Sequence, residues 1–543
     1  MLNIKKLNKA TLLVKSGDFD TAEKIYSELL KESPNDETVL SFWGMFNLKK
    51  GLFNKAEKIL EASYKIRKIP STIASLAFTK YKLGKFDDAI ILYEELFRYD
   101  KDSEHIYQKI IECFSNLGMY NFAIAYCQKY LISHPDNRHA LSLITINLMR
   151  NGDYKQAEEY CAKTLSLYPD NSSAWVNAGL LQELMYNNEE VAQECYKKAI
   201  EYGDTQAYYH LAVSYQKIGK YFEAEKNYKK AIELNPNDID SKTSLGMLYL
   251  SQRQFNEGYS LFVKRAKSPE LSYLKNLYSG GEKYYDKNKV ILVYSDQGLG
   301  DGIQFARYLP YLTEKFAKVI VYTREPLVDI LSKSYPQIEF ITSNLSDIFH
   351  DCSVFIGDLP YYLDMDFDNI PLSQGYLEAN NEKVDEYKNK YFNHSKLKVG
   401  LCWKAGDTGI RAAIHRTINI GYFDSLLGLK NIEFYSFQKD DIFDAISKYP
   451  QIVDLSSTFK TFEDTAAAMK NLDLMISVDT SCIHLAGALG VKSVLLLPYC
   501  SDWRWFDNTK ATEWYSSVEI VKQTERQDWF KEIEFIKEYV NDL

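Results

Sequence analysis

A turn signal, a glycine followed by any residue and then an aromatic one, returns through the first half of the chain at a nearly fixed interval. Intact copies begin at Gly17, Gly51, Gly84, Gly118, Gly152 and Gly219, and degenerate copies stand at Asn187 and Arg253. Successive spacings are 34, 33, 34, 34, 35, 32 and 34 residues. A period of this length indicates an array in which each unit buries its apolar face on the next. It constrains the first half of the chain to a stack of helix pairs.

Three other features keep the same phase. Five residues after each signal stands a small side chain that lets two antiparallel helices approach closely: Ala22, Ala56, Ala89, Ala123, Ala157, Ala192, Ala224 and Gly258. Helices are stopped by loop prolines, which lack a backbone donor, at Pro34, Pro135, Pro169 and Pro236. Cys127, Cys161 and Cys195 recur at steps of 34 residues. They are therefore predicted to be buried repeat residues rather than metal ligands or disulfide partners.

These features resemble the tetratricopeptide repeat, in eight copies over residues 1–267. The resemblance implies an all-α superhelix whose first helices line a concave groove. Such grooves commonly hold a peptide or a partner's surface. The residues leave two uses open: the groove binds a protein, or the array is a spacer or an oligomerisation device.

The composition narrows the possible partners. The 543 residues carry a net charge of -9, which disfavours nucleic acid and anionic membranes as main partners. No apolar run approaches the roughly 18 residues of a membrane-spanning helix. The N-terminus lacks the apolar core of a signal peptide, and no Cys-x-x-Cys pair is present. We therefore expect a cytoplasmic protein without a membrane span.

From about residue 289 short β-branched runs alternate with amphipathic stretches. The predicted strands cover residues 289–294, 318–322, 338–342, 353–356, 398–403, 432–437, 472–477 and 492–497. Apolar strands that alternate with helices predict parallel sheets buried on both faces. A polar span at 379–397 divides the strands into two sets, so we expect two sheets.

The predicted organisation after the repeats is a linker at 268–288 and two doubly wound α/β lobes, 289–395 and 396–543. Ligands of such folds bind at the carboxyl ends of the strands, so a cleft between the lobes is the expected site. A terminal amphipathic helix within 526–543 is expected to cross back and close the structure.

The first candidate site segment is the turn after the first strand, Gln-Gly-Leu-Gly-Asp-Gly. Gly298, Gly300 and Gly302 allow a tight turn and close backbone approach, and Asp301 is expected at the mouth of the cleft. Many such loops serve only close packing. A nicotinamide dinucleotide is disfavoured, because the second strand ends in Thr323 and a basic residue instead of a carboxylate.

The second candidate segment is Asp479-Thr480-Ser481, which follows an apolar strand and opens a helix. Thr480 or Ser481 is expected to cap that helix, whose free N–H groups form an anion site. His484, one turn in, is expected to face the same anion. A histidine that only packs within the helix is the alternative.

The segments GLGDGIQFARYLPYL, GLCWKAGD, HRTINI, SFQKD, SVDTSCIHLAGALG and PYCSDWRWF, in this order, resemble heptosyltransferase-type glycosyltransferases. Together with the repeats they are similar to bacterial tetratricopeptide glycosyltransferases, a group that includes flagellin-modifying enzymes. The resemblance covers nearly the whole chain. It implies a glycosyltransferase B fold and a nucleotide-activated sugar as donor, with neither a metal nor another cofactor.

The resemblance also implies roles for individual residues. Asp301 becomes the candidate general base that takes a proton from the acceptor hydroxyl. Arg416 matches the basic residue that neutralises the leaving diphosphate, and Gln438 falls where the family contacts base or ribose. The nucleotide-sugar site as a whole is predicted to comprise Gly300, Arg416, Gln438, Asp479, Thr480, Ser481 and His484.

The expected function is transfer of a sugar to a hydroxyl of a protein acceptor held in the repeat groove, such as flagellin or another surface protein. Two alternatives stay open: a saccharide or lipid-linked acceptor, and a non-catalytic scaffold with a degenerate transferase half. Asp364-Met-Asp366, an Asp-x-Asp triplet of the catalytic half, lies in a loop-like stretch and would hold a metal if one were needed. Trp503 and Trp505 either stack on a base or sugar or form a core edge.

Overall fold

The computed structural model describes residues 4–265, 273–343, 345–365, 370–406, 416–439, 443–506, 510–526 and 528–543. The chain divides into two compact units, Met1–Leu211 and Ala212–Leu543. The division falls inside a repeat helix, so the last repeats belong to the same compact unit as the α/β half.

The first half of the described chain is entirely helical, as its period predicts. The helices are Ile4–Ser16 (α1), Phe19–Glu32 (α2), Glu37–Lys49 (α3), Phe53–Ile66 (α4), Pro70–Lys82 (α5), Phe86–Leu96 (α6), Glu104–Asn116 (α7), Tyr120–Ser133 (α8), Arg138–Asn151 (α9), Tyr154–Leu167 (α10), Ser172–Tyr186 (α11), Glu189–Glu201 (α12), Ala207–Lys217 (α13), Tyr221–Leu234 (α14), Ile239–Ser251 (α15) and Phe255–Phe262 (α16). The N-terminal all-helical repeat array is thereby confirmed.

The turn signals form tight turns, and the repeat cysteines are buried, as the sequence predicts. Gly152 ends α9 with a φ of +88°, in the left-handed region that favours glycine. In the degenerate copies Asn187 and Arg253 adopt the same region, with φ of 51° and 63°. The three cysteines at steps of 34 residues are buried, which confirms them as repeat-core residues: Cys127, Cys161 and Cys195.

The second half forms two parallel sheets. Its strands are Asp286–Tyr294 (β1), Phe316–Tyr322 (β2), Glu339–Ile341 (β3), Cys352–Phe355 (β4), Leu397–Cys402 (β5), Ile432–Ser436 (β6), Ile452–Asp454 (β7), Leu474–Val478 (β8), Ser493–Leu497 (β9) and Val518–Lys522 (β10). The four-stranded sheet has the order β3-β2-β1-β4, and the six-stranded sheet has the order β10-β9-β8-β5-β6-β7. Parallel sheets divided at the polar span are thereby confirmed.

All eight predicted strands overlap an observed strand, and two edge strands were not predicted. β7 has three residues, of which only Ile452 is buried. β10 alternates buried and exposed side chains, as an edge strand does, instead of forming a continuous apolar run. Periodicity finds the central strands because both of their faces are buried.

The helices around the sheets are Leu299–Ala306 (α17), Leu309–Thr313 (α18), Val328–Ser334 (α19), Leu359–Tyr362 (α20), Asn381–Tyr391 (α21), Asp424–Leu427 (α22), Phe443–Lys448 (α23), Phe462–Met469 (α24), Ser481–Ala488 (α25) and Phe530–Asn541 (α26). The terminal helix α26 packs Ile533, Ile536 and Val540 into the core of the six-stranded lobe. It therefore covers its own lobe instead of crossing back as expected. No helix in the described part of the chain is both long and apolar enough to traverse a bilayer.

The last repeat shares an apolar core with the α/β lobes. Tyr259 and Phe262 of α16 lie in one cluster with Ile291 of β1 and the buried Trp503. Directly after α16, Arg265 forms ion pairs of 2.8 Å with Asp296 and 2.6 Å with Asp358. Of the expected linker, residues 268–272 lie outside the described residues. Its remainder is anchored where the Tyr278 amide donates to the Ser353 carbonyl at 2.9 Å.

Candidate functional site

A cavity of about 520 Å³ lies where strands of both sheets end. Its wall is built from parts of 297–301 after β1, Arg324 after β2, Gly406 after β5, 479–484 after β8 and 498–504 after β9. Five strands from two parallel sheets thus direct their carboxyl ends to one space, where ligands of doubly wound folds bind. Seven of the eight sequence-predicted site residues line this cavity: Gly300, Asp301, Arg416, Asp479, Thr480, Ser481 and His484.

The first wall presents a buried carboxylate at the start of α17. Asp301 accepts a hydrogen bond from the Gly298 amide at 3.0 Å, which fixes the turn. It also forms an ion pair with Arg504, which comes from the other lobe. Burial raises the pKa of Asp301 above its ordinary value, and the Arg504 guanidinium opposes that rise. The result is a desolvated carboxylate held in place at the cavity edge.

Gly300 is one of the places where the two lobes touch. A Cβ added at this position would come within 2.8 Å of the His484 ring and 3.6 Å of the Ser481 Cα atom. Only glycine therefore allows the start of α17 to lie directly against the start of α25. This close approach brings the two segments singled out in the sequence to one place.

The second wall presents the N-terminus of α25. Thr480 is the N-cap, and its hydroxyl accepts a hydrogen bond from the Cys482 amide at 3.3 Å. Ser481 is the first residue of the helix. Thr480 and Ser481 line the cavity, and the free N–H groups of a helix's first turn favour a negative charge. Between the two capping candidates that the sequence offered, the structure selects Thr480.

His484 lies one turn into α25 and is held from three sides. Its Nδ1 atom is 3.0 Å from the Tyr515 hydroxyl, and its ring stacks on Trp505 with centroids 5.3 Å apart. Its Nε2 atom is 3.8 Å from Asp479 Oδ1. Burial, together with the nearby arginine charges, lowers the pKa of His484 to about 3. His484 is therefore neutral at physiological pH and offers a ring nitrogen, not a positive charge, to a ligand.

Arg416 supplies a positive charge beside Asp479. Its Nη1 atom donates to the Asp479 carbonyl at 3.1 Å and lies 3.8 Å from the carboxylate. Burial raises the pKa of Asp479 to about 6, with Asp502 adding to the rise and Arg416 opposing it. The segment between Trp403 and Arg416 falls largely on 407–415, which lies outside the described residues.

Gln438 is the one predicted site residue that does not line the cavity. Its side chain is buried, and its carbonyl oxygen accepts a hydrogen bond from the Lys404 amide at 2.9 Å. It thereby holds the loop that follows β5. The resemblance placed a base or ribose contact here, whereas the structure gives the side chain a loop-fixing role.

Three charged wall residues were missed by the sequence reasoning: Arg324, Asp502 and Arg504. Arg504 lies between Trp503 and Trp505, for which stacking on a ligand and a core edge were the two alternatives. Both tryptophans are buried, so the core alternative describes them correctly. A basic residue between two aromatic residues, in the segment that follows an apolar strand, was the available signal.

The Asp-x-Asp triplet lies elsewhere. Asp364 is exposed and forms an ion pair with Lys283, and Asp366 lies outside the described residues. Within the ranges that the structure describes, no group of three or more His, Cys, Asp or Glu side chains is arranged to hold a metal ion.

The arrangement has two chemically different sides. The helix N-terminus and the arginines can bind a phosphate or diphosphate group. Across the cavity, Asp301 can accept a proton from a hydroxyl. A substrate that carries a diphosphate and a second one that carries a hydroxyl would both find partners here.

Comparison with known proteins identifies the repeat. Residues 205–238 match the family model described as "Tetratricopeptide repeat". Together with the period of the helical half, this match shows that the chain carries tetratricopeptide repeats.

Among curated proteins, "Protein FlbA" of Caulobacter vibrioides is 24% identical over 310 residues, which are 50% of each chain. The chain thus spans about half the length of the curated relative it matches. A tetratricopeptide repeat protein from Parabacteroides merdae is 16% identical with a TM-score of 0.41, covering 45% of this chain and 97% of its own. The C-terminal part of a TPR repeat-containing protein from Cytophaga hutchinsonii is 17% identical with a TM-score of 0.33, covering 43% of this chain and 97% of its own.

Proposed function

We propose that the chain is a glycosyltransferase that moves a sugar from a nucleotide-activated donor to a hydroxyl of a protein acceptor recruited by the repeats. The observation that carries the proposal is the cavity in which Asp301 of one lobe faces the N-terminus of α25 and Arg416 of the other. Two parallel-sheet lobes with a ligand cavity between them are compatible with a glycosyltransferase B fold. The donor is a substrate, and no other cofactor or metal enters the proposal.

On the donor side, Thr480, Ser481 and Arg416 hold the diphosphate. When the bond between the sugar C1 atom and the phosphate oxygen breaks, the electron pair leaves with the diphosphate, whose charge increases. Fixed N–H groups and a guanidinium stabilise that charge without having to reorganise. Neutral His484 adds a hydrogen-bonding ring nitrogen.

On the acceptor side, Asp301 takes the proton from the attacking hydroxyl as the new bond between its oxygen and C1 forms. A buried carboxylate with a raised pKa is a better base near neutral pH than an exposed one. The Gly298 amide and Arg504 fix the orientation of this carboxylate. One bond forms, one breaks, and the proton stays on Asp301 until it is released to solvent.

The repeats favour a protein as acceptor, because tetratricopeptide arrays commonly bind partner proteins in their groove. Flagellin or another surface protein is the kind of acceptor that the sequence resemblance suggests. A saccharide or lipid-linked acceptor would need no groove, and a scaffold without catalysis would need no aligned Asp301.

The direct test is Asp301→Asn, with Asp296→Asn as the matched control. Both aspartates follow β1, are largely buried and pair with an arginine, but Asp296 does not line the cavity. Transfer is measured by intact mass of candidate acceptors co-expressed with the enzyme, over a panel of nucleotide sugars. We expect Asp301→Asn to lower the transfer rate by about 10² to 10⁴, and Asp296→Asn to leave the rate per folded molecule unchanged. Full activity of Asp301→Asn would remove Asp301 from the mechanism.

The kind of acceptor is tested by deleting residues 1–136, the first four repeats. If the groove presents a protein, transfer to it should fall while donor hydrolysis stays near normal, because only acceptor positioning is lost. Equal transfer by the truncated chain would favour the saccharide acceptor. Donor binding without transfer to any acceptor would favour the scaffold.

A further inference from the structure

We infer that Arg504 has two alternative partners: it holds Asp301 while the cavity is empty, and it turns to the diphosphate when the donor binds, which frees Asp301 to act as base. The second part rests on the proposed function. The first part does not rest on it, because competition between Asp301 and a diphosphate for one guanidinium concerns binding alone.

The position of Arg504 carries the inference. Its guanidinium lies in the cavity wall and reaches across from the six-stranded lobe to the four-stranded lobe. One end donates to Asp502 at 2.6 Å, while Nη2 contacts Asp301 and the side-chain oxygen of Gln297. The Asp502 end anchors the side chain, so the Nη2 end can exchange partners with little movement of the rest.

The charge balance of the cavity supports an exchange. Among the described wall residues, Arg324, Arg416 and Arg504 face three carboxylates: Asp301, Asp479 and Asp502. The charges of the cavity wall are therefore close to balanced, and an incoming diphosphate must compete with the protein's own carboxylates for the arginines. Arg504 and Asp301 form a direct ion pair, and both side chains are largely buried.

The geometry of arginine suits both partners. A guanidinium fork matches a carboxylate or a phosphate with paired N–H donors, and phosphate carries the larger charge. Arg504 is close enough to the α25 N-terminus to act on His484 and Asp479, whose pKa values it influences. A diphosphate seated on Thr480 and Arg416 therefore lies within the same charge environment.

The exchange would have a consequence for Asp301. Burial raises the pKa of this carboxyl, and Arg504 is the main opposing influence. When the guanidinium turns to the diphosphate, the opposition is weakened and the carboxylate becomes a stronger base. Proton removal from the acceptor would then follow donor binding, which limits unproductive chemistry in the empty enzyme. Arg504 is thus a donor-binding residue and a positioning residue for Asp301.

The test is a double-mutant cycle read by inorganic pyrophosphate binding to the full chain, measured by titration calorimetry. We expect Asp301→Asn to bind pyrophosphate about three- to tenfold more tightly than the wild type, because the Nη2 end of Arg504 no longer has a competing carboxylate. Arg504→Gln should weaken binding by about tenfold or more. In the Arg504→Gln background, Asp301→Asn should bring a much smaller gain.

The controls separate this coupling from simpler effects. Asp296→Asn should leave pyrophosphate binding unchanged, since its partner Arg265 lies outside the cavity wall. An equal gain from Asp301→Asn in both backgrounds would be a plain charge effect and would overturn the inference. So would unchanged or weaker binding by Asp301→Asn, which would make Arg504 a fixed clamp. If Arg504→Gln does not fold, Arg504→Lys replaces it in the cycle, with a smaller loss of binding expected because the charge remains.

The same variants keep the two proposals apart. If the cycle shows coupling but no sugar is transferred to any acceptor, the diphosphate site stands and the proposed transferase function fails. If transfer occurs without coupling, the function stands and the exchange of partners is wrong.

Discussion

Lys80 in the first unit and Arg265 in the second are both largely buried cations of the repeats. Their ion pairs differ in how much contact with water the partners keep. Both side chains are about 10% exposed. Lys80 forms ion pairs with Glu57 at 3.0 Å and with Glu61 and Asp88 at 2.9 Å, and the Asp88 side chain is 54% exposed. Glu57 is buried, but Glu61 and Asp88 thus keep much of their contact with water.

The ion pair of Arg265 with Asp358 lacks such contact with water. Asp358 is fully buried, and the Arg265 guanidinium lies over the rings of Phe262 and Phe355 at 4.2 and 4.5 Å. Buried ion pairs are costly to break because a charge is left without compensation. Repeats of the first unit therefore need only each other, whereas the last repeat is structurally part of the α/β half.

The largest expected effect is on folding itself. Deletion of residues 239–265 should prevent the second unit from folding, because it removes the apolar contacts of Tyr259 and Phe262 and the charge of Arg265. Deletion of residues 1–136 should leave the calorimetric unfolding transition of the second unit in place, since repeats contact only their neighbours. A folded second unit without 239–265 would show that the last repeat is as separable as the others.

Single substitutions sharpen the same comparison. Arg265→Ala should lower the free energy of unfolding of the second unit by about 3 to 5 kcal/mol, because two buried carboxylates lose their cation. Lys80→Ala should cost the first unit about 1 to 2 kcal/mol, between the values for exposed and buried pairs, since Lys85 still pairs with Glu57. Scanning calorimetry of both variants is the measurement, and equal losses would contradict the distinction.

The two substitutions should also differ in their response to pH. Burial raises the pKa of Asp358 to about 6, so the folded state holds this proton more tightly than the unfolded chain does. The stability that comes from the protonated carboxyl is therefore present at low pH and is lost as the pH rises through about 6. Removal of Arg265 raises this pKa further, so the deficit of Arg265→Ala should be larger at pH 7.5 than at pH 5. Burial opposes ionisation of Glu57, but Lys85 and Lys80 outweigh it and its pKa is lowered. The Lys80→Ala deficit should therefore stay constant over this range.

The smallest effects concern the turn between the helices of a repeat. Gly152→Ala should cost about 1 kcal/mol, because φ is +88° while an added Cβ meets nothing within 4 Å. Arg253→Gly at the equivalent position relieves a left-handed backbone but loses the Glu513 ion pair and the contact with Phe506. We expect a net change below about 0.5 kcal/mol, measured by the same calorimetry. A large loss at Arg253 would show that its tertiary contacts outweigh the backbone.

The repeats were predictable in detail, because their signal is local and recurs eight times. The central strands were predictable because both of their faces are buried, whereas β10 was not, because its side chains alternate between buried and exposed instead of forming a continuous apolar run. Asp301 and Thr480 were found because both follow apolar strands at a turn. The sequence did not indicate that Gln438 accepts from the Lys404 amide or that Arg504 lines the cavity, because whether a side chain faces a cavity or a loop amide depends on neighbours far away in sequence.

The sequence by itself determined the period of the array, its turn geometry, the parallel-sheet class of the second half and the two segments that meet at the cavity. These follow from short-range rules of backbone conformation and from apolar periodicity. Only the tertiary structure decided that Gly300 lies against His484, that Arg504 holds Asp301 and that Arg265 joins the last repeat to the lobes. Each of these depends on burial and charge contributed by distant segments, which set the protonation of Asp479 and His484 as well.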